Sequence, residues 1–587
     1  MTSHTTPSDR AQRHLTRTPW RTVRVAVLVA GVLICSGPFS SPSEAADPSP
    51  LAGQLPGADV ANAIRATVHD STASATLPLT SATRRELTAL YQASEYRPLW
   101  VDGSGHPTGD ARDTLALLTG AAKEGLDPAD YRASMLDSSA TALERTQRPT
   151  VSSIAAFDAD LSAGMLRYLR HVHIGRVDPR SIGFRMTTPA DDHDFAALLR
   201  SALVNHRIPE LAAGLAPPLA LYRRLRTLLV RYRELSADAI LQSAPVPARV
   251  VRPGDAYPEA SALLRLLTAL GDLPGETPAP VAPQVYEGAV VDAVRRFQMR
   301  HGLDADGIIG ARTQTALRVP LAWRARQIEL AMERLRWLPH LNQDRFLAVN
   351  IPMFRLWVWD SIPLDGAPSF GMDVIVGRGL NRQTPVFVEE MEYLIFRPYW
   401  DVPSSILRGE ILPALGREPG YLQRHDMEIV SGAGDDARVV PLTDESLAQL
   451  RQGRLRVRQR PGPGNSLGSV KFIFPNDVNV YLHDTPAPEL FSRSRRDFSH
   501  GCVRVQDPVA LAEWALKGQE GWDRDRILAA MNAQRPQRVN VNRPIQVILF
   551  YITAVVMPDD GSIHFAEDIY GHDTKLARAL ERREMPK

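Results

Sequence analysis

Apolar positions along the chain fall into two textures that change over near residue 340. From about 82 to 245 they recur at helical spacing, through Leu87, Leu90 and Tyr91, then Leu115, Leu117 and Leu118. A longer stripe runs through Phe157, Leu161, Met165, Tyr168 and Leu169, and a last one through Leu219, Leu221, Leu225, Leu228 and Val230. Loop and cap signals, Tyr96-Arg97-Pro98 and Gly125-Leu126-Asp127-Pro128, separate them. The pattern predicts an α-helical scaffold domain over 82–245. Residues 244–256 read as a linker. Residues 257–319 predict a compact helical unit, with one stripe from Leu263 to Leu270 ended by Gly271 and a second through Val290, Val291, Val294 and Phe297. A turn at Gly302 to Gly310 and a short helix, Ala311 to Leu317, complete it. Residues 321–339 predict a connecting amphipathic helix. Its inward face is Ile328, Leu330, Ala331, Leu335 and Trp337, set between Arg324, Arg326, Glu329, Arg334 and Arg336.

After residue 345 the runs become short, aromatic and β-branched, as in Phe346–Ile351, Phe354–Trp359, Met372–Val376, Tyr393–Phe396, Val470–Phe474 and Val478–Leu482. Residues 346–556 therefore predict a mainly-β domain. Within it, 403–455 carries Gly, charge and weak helical signals, and reads as an inserted lid subdomain. Gly462-Pro463-Gly464-Asn465-Ser466-Leu467-Gly468 has a phosphate-loop look but lacks the Gly-Lys-Ser/Thr ending, so it reads as a turn. Residues 557–587 are taken as a C-terminal tail. The fold class is multi-domain α+β.

A chain of 587 residues suggests about three or four domains, and 44% hydrophobic with 23% charged residues describes ordinary globular protein. Residues 1–45 have the order of a secretory signal: five arginines, an apolar run Val25 to Ile34, then small residues and Pro. That run is short of the ~20 residues a membrane span needs. An uncleaved signal would instead leave an inner-membrane anchor. Residues 46–80, rich in Ala, Ser, Pro and Thr, read as a flexible leader. Losing residues 1–45, with five Arg and two acids, would take the formal charge from +2 to −1. No basic field suggests nucleic acid, and the expected location is the periplasm.

Cysteine usage singles out one stretch. The chain has two cysteines, and cleavage of the signal would remove Cys35 and leave Cys502 without a disulfide partner. A buried inert thiol is the ordinary fate of such a residue. The neighbours of Cys502 point elsewhere: Ser499, His500, Gly501 and Arg504 surround it, and His483 lies nineteen residues upstream, followed by Asp484. Thiolate chemistry needs a base or cation near sulfur and backbone N–H groups for an oxyanion. Candidates are Cys502 as nucleophile, His483 as base and acid, and the Gly501 and Cys502 N–H groups as oxyanion donors. Tyr481 and Trp400 are candidate pocket walls, although core positions suit aromatics better. His171 and His173 are too poorly spaced on a helix for a metal pair, and Asp304 with Asp306 lacks the ligand series of a calcium loop. No metal or organic cofactor is expected.

Two resemblances join these readings. Ala293-Val294-Arg295-Arg296-Phe297-Gln298-Met299-Arg300-His301-Gly302-Leu303 with Asp306-Gly307-Ile308-Ile309-Gly310 and Thr313 resembles the peptidoglycan-binding module of bacterial wall enzymes. His483-Asp484-Thr485-Pro486, Leu490-Phe491 and Ser499-His500-Gly501-Cys502-Val503-Arg504-Val505 resemble the signature of L,D-transpeptidases. Arg382 to Phe387, Pro398 to Pro403 and Pro461 to Gly468 are similar to the long, multi-domain form. The resemblance implies attack by Cys502 on a tetrapeptide stem, loss of D-Ala, and resolution of the thioester by a second stem as acceptor, giving a 3→3 cross-link. It implies that a backbone carbonyl, that of Asp484, orients His483. Ser499, His500, Asp484 and Arg504 would shape the site or contact substrate, and carbapenem-type inhibitors would acylate Cys502. Water as acceptor would make an L,D-carboxypeptidase, and a lipoprotein lysine an anchoring enzyme. A non-catalytic wall-binding scaffold needs neither His483 nor Cys502, and the His-before-Cys order disfavours a cysteine protease.

Overall fold

The computed structural model describes residues 57–69, 80–186, 193–243, 246–273, 284–338, 345–361, 366–379, 382–418, 420–434 and 437–582. The expected signal, 1–45, lies outside them. Among the described residues no helix is long and apolar enough to cross a membrane.

The scaffold helices pack around Val151–Ile174, whose Phe157, Leu161, Met165 and Leu169 are all buried. That helix also buries a carboxylate. Asp158 accepts hydrogen bonds from the Tyr91 hydroxyl (2.6 Å) and the Trp100 N–H (2.8 Å), which ties down the Tyr96–Trp100 loop. Burial pushes its pKa up to about 6. Part of the expected leader differs. Gly57–His69 is a helix, and Val60, Ile64 and Val68 recur every fourth residue and bury in the scaffold core. Three apolar residues in an Ala- and Thr-rich stretch are a weak signal alone, and packing against a preformed core supplies the rest.

In the next unit, Ala260–Leu270, Ala289–Arg300 and Ala311–Leu317 enclose a core that includes Leu263, Leu267, Val294 and Phe297. Gln298 is buried and holds the following turn, accepting from the Gly307 N–H (2.8 Å) and donating to Asp306 Oδ1 and the Ile308 carbonyl (both 2.9 Å).

The connecting helix, Leu321–Leu335, departs from the amphipathic expectation. Arg324, Arg334 and Arg336, expected on its outer side, are buried along with Glu333. For Arg334, Arg336 and Glu333 the reason is ionic pairing inside the molecule, whereas Arg324 donates to Gln327 Oε1 (2.9 Å) and the Ala316 carbonyl (3.2 Å). Arg334 meets Asp573 (2.5 Å), and Arg336 meets Glu333 (2.9 Å) and the Tyr222 hydroxyl (2.7 Å). Glu333 also accepts the N–H groups of Arg176 and Val177 (2.5 and 3.0 Å). The helix is thus a shared strut between scaffold and C-terminal segment.

The mainly-β domain closes on itself. Its ring order is Phe370–Gly377, Val503–Val505, Leu482–His483, Val470–Ile473, Phe387–Phe396, Gln537–Phe550, Phe346–Asn350 and Arg355–Trp359, which pairs back onto Phe370–Gly377. A ninth strand, Asp497–Ser499, adds to Phe370–Gly377 in parallel. The insertion has its own core around Ile406, Ile429, Leu450 and Val457, and its small sheet runs from Trp400 to Gln459, slightly beyond the expected bounds. The C-terminal tail is also not a tail. Ile563–Phe565 and the helix His572–Glu581 pack into the molecule, with Leu576 and Asp573 fully buried. Leu576, Ala577 and Leu580 give that helix an apolar stripe whose partner is supplied only by the folded barrel.

Removing one partner of a buried ion pair strands the other charge. Asp573→Ala is therefore expected to destabilise the protein by about 3–5 kcal/mol, read as a lower urea midpoint with unchanged slope.

Candidate active site

Strand register assembles the site. Leu482–His483 pairs in antiparallel with Val470–Ile473, setting His483 opposite Lys471, and in parallel with Val503–Val505, setting His483 opposite Arg504. The Val503 N–H donates to the Tyr481 carbonyl (3.1 Å), so Cys502 arrives beside Tyr481. Paired residues share a face, as do residues two apart on one strand. Lys471, Tyr481, His483, Cys502 and Arg504 therefore gather on one face, while Phe472, Leu482, Val503 and Val505 bury in the barrel core.

His483 is 4% exposed. Its Nδ1 lies 2.6 Å from the Asp484 carbonyl oxygen. A carbonyl only accepts, so Nδ1 carries the proton and Nε2 is left as the basic nitrogen. Asp484 is itself braced: its carboxylate accepts the Ser469 N–H (2.8 Å) and the Thr485 N–H (2.6 Å). Gly468, at the end of the stretch with the phosphate-loop look, makes room for it. Its φ is +62°, and a Cβ there would lie 2.4 Å from Asp484 Cγ. The side chain of Asp484 thus serves the loop, and its carbonyl serves His483.

Cys502 is half-buried, with its Sγ 3.7 Å from the Asn479 carbonyl oxygen. Gly501 before it has φ +126°, a conformation that side chains disfavour. One sequence expectation fails here. The Gly501 N–H donates to Ser499 Oγ (3.1 Å), so it is engaged within the loop and not available to an oxyanion. Ser499 Oγ in turn donates to the Cys502 carbonyl (2.5 Å), which makes Ser499 a brace for the loop. The Cys502 N–H carries no hydrogen bond within the described residues and remains the candidate donor.

Three further residues hold this loop, and the local sequence motif did not reveal their roles. Thr384 is fully buried. Its Oγ1 donates to the Gly501 carbonyl (2.8 Å) and accepts the Gly377 N–H (2.8 Å). Tyr570, from the segment read as a tail, accepts the Thr384 N–H (3.2 Å) and donates to the Gly377 carbonyl. Glu410, from the insertion, takes both Arg382 (2.9 Å) and exposed His500 (2.8 Å) on one carboxylate oxygen. Arg382 and His500 also touch each other. Only the fold brings these positions together. Trp400 packs on the insertion core, whereas Tyr481 lies against the thiol.

The electrostatics follow from burial and two cations. Burial, with Arg504 and Lys471 nearby, pushes the His483 pKa down to about 3, so its imidazole is neutral at physiological pH. Burial raises the Cys502 pKa, opposed by hydrogen bonds from Tyr481 and by Arg504 and Lys471. The resting pair is a neutral thiol and a neutral imidazole. Thiol, imidazole and the two cations share one face of the barrel.

With this geometry in place, three family models match consecutive parts of the chain. Residues 344–527 match the L,D-transpeptidase catalytic domain, 257–317 a peptidoglycan binding domain, and 85–229 a scaffold domain. A Haemophilus influenzae protein named "Putative L,D-transpeptidase" is 32% identical over 250 residues, 42% of this chain and 48% of that protein. The chain thus aligns with about half the length of that relative. It carries an L,D-transpeptidase catalytic domain and a peptidoglycan binding domain.

Alkylation of Cys502 by iodoacetamide should rise with pH through a midpoint above the ordinary thiol range. Lys471→Met, which removes a cation favouring the thiolate, should shift it higher and slow alkylation at pH 7 by about two- to fivefold. Thr384→Val leaves the Gly377 N–H and the Gly501 carbonyl unpaired and should cost about 1–3 kcal/mol, measured by urea unfolding.

Proposed function

We propose that the chain is an L,D-transpeptidase that forms 3→3 cross-links between peptidoglycan tetrapeptide stems outside the cytoplasm. The observation that carries this reading is the convergence of Cys502 with a neutral, tautomer-fixed His483 in a domain that matches the L,D-transpeptidase catalytic family. His483 Nε2 takes the Cys502 proton as sulfur attacks the carbonyl at the L-centre of the donor's diaminopimelate. The Cys502 N–H donates to the oxyanion, and Arg504 and Lys471 favour the negative charge. His483 then protonates the departing D-Ala amine, which leaves a thioester on Cys502. The side-chain amine of a second stem attacks the thioester carbonyl, its proton passes to His483, and the thiol is released.

The other residues support these steps. Ser499, Thr384 and Tyr570 hold the nucleophile loop, and Asp484 holds the base. Arg382, His500 and Glu410 stand between the insertion and the loop, where closure of the insertion would screen the thioester from water. The same thiol would accept a carbapenem acyl group. The peptidoglycan binding domain keeps the chain on the wall, and export by residues 1–45 places it in the periplasm, or anchors it to the inner membrane if they are retained.

Purified protein and its Cys502→Ala variant, each incubated with disaccharide-tetrapeptide, give the test by mass spectrometry of products. Dimers with a 3→3 link are expected from the first and none from the second. Tripeptide without dimer would replace the reading with a carboxypeptidase, and unchanged substrate would remove the enzymatic reading.

A further inference from the structure

A cavity of about 900 Å³ lies away from Cys502. It lies at the seam between the peptidoglycan binding domain and the barrel. Its lining contains six arginines, of which Arg300 pairs with buried Asp272 (2.6 Å), Arg495 with Asp497 (2.8 Å) and Glu567 (3.3 Å), and Arg312 with Asp304 (3.9 Å). Arg355 and Arg496 share Asp373, at 3.0 and 2.9 Å. Arg324 is 7% exposed and meets no carboxylate among the described residues. It donates to Gln327 Oε1 (2.9 Å) and the Ala316 carbonyl (3.2 Å) and lies over the Phe565 ring. Burial lowers its pKa only to about 10, so it stays a cation at neutral pH. Six guanidiniums thus face five carboxylates, Asp272, Asp304, Asp373, Asp497 and Glu567, and the one buried arginine without a counter-ion favours an anionic occupant.

The groove is also connected to the nucleophile loop. Arg495 and Arg496 immediately precede Asp497–Ser499, the strand that ends at the Ser499 brace. Asp373 lies on the strand that delivers Gly377 to Thr384, and four residues at about 3.3 Å each span roughly 13 Å.

We propose that this seam is a second peptidoglycan site, which takes a stem peptide by its free carboxylates and holds the wall beside the nucleophile loop. The inference rests on the wall polymer being the substrate. It assigns wall binding to a surface shared by module and barrel, so that neither half alone would contain the site.

Cosedimentation of the full chain with purified sacculi tests it, using native sacculi and sacculi whose stem carboxyls have been amidated. The variants are Arg312→Glu and Thr315→Trp. Arg312 is half exposed and, among the described residues, meets Ser494 Oγ and Asp304, and Thr315 is exposed on the groove wall. Native sacculi should bind about five- to tenfold more tightly than amidated ones. Both variants should lose about that factor, and Arg312→Glu should erase the difference between the two preparations. Unchanged circular dichroism and Cys502 alkylation would place the loss in the groove. Equal binding of native and amidated sacculi, or wild-type binding by both variants, would overturn the proposal. So would equally tight binding to phosphatidylglycerol vesicles, which would assign the groove to a lipid surface. Turnover of soluble disaccharide-tetrapeptide is scored in parallel. Its absence with groove-dependent binding intact would remove the enzymatic reading and leave the site standing.

Discussion

Two residues of parallel pairing hold the site together. Leu482–His483 is a very short strand, yet its pairing with Val503–Val505 decides that His483 and Cys502 lie on one face. Side chains alternate with period two, so a slip of one residue would turn His483 into the barrel core and bring Leu482 to the surface. The apolar demand of that core, met by Leu482, Val503 and Val505, is therefore what fixes the chemistry outside it. Closing the sheet into a ring removes the freedom to slip, because each strand's register is constrained from both sides.

Buried charge plays a corresponding part at larger scale. Arg334 and Arg336 of the Leu321–Leu335 segment and its C-cap link the scaffold, through Tyr222 and Glu333, to Asp573 near the C-terminus. Such groups are costly to desolvate and acceptable only when each finds its partner. The same C-terminal segment supplies Tyr570, whose hydroxyl reaches the Thr384–Gly501 hydrogen bonds that hold the Cys502 loop. Distant parts of the chain thus bear on the position of one sulfur atom. The insertion adds another connection, because Glu410 joins Arg382 to His500.

The arrangement separates the thiol and imidazole from the arginine-lined groove. A half-buried thiol beside a neutral base needs a restricted, poorly solvated setting, and the barrel face provides it. The groove between module and barrel is open and lined by arginines, with Arg324 the one that lacks a carboxylate among the described residues. The strands Phe370–Gly377 and Asp497–Ser499 run from one to the other.

The sequence by itself determined the helical first half, the helical module, the mainly-β domain with its insertion, and the stretch around Cys502 and His483. These are local signals: helical or alternating periodicity, turn residues, and a rare thiol among polar neighbours. The Asp484 carbonyl beside His483 was also within reach, being only one residue away. Tertiary structure decided what depends on distant partners. Arg334 read as solvent-facing because its counter-charge, Asp573, lies far along the chain. Gly57–His69 and His572–Glu581 were missed because their apolar stripes are short and gain stability only against a core built elsewhere. Gly501 looked like an oxyanion donor because only the folded loop brings Ser499 Oγ onto its N–H. Periodicity specifies which faces an element will bury, but which partners satisfy its buried polar groups is settled only when the whole chain has closed around them.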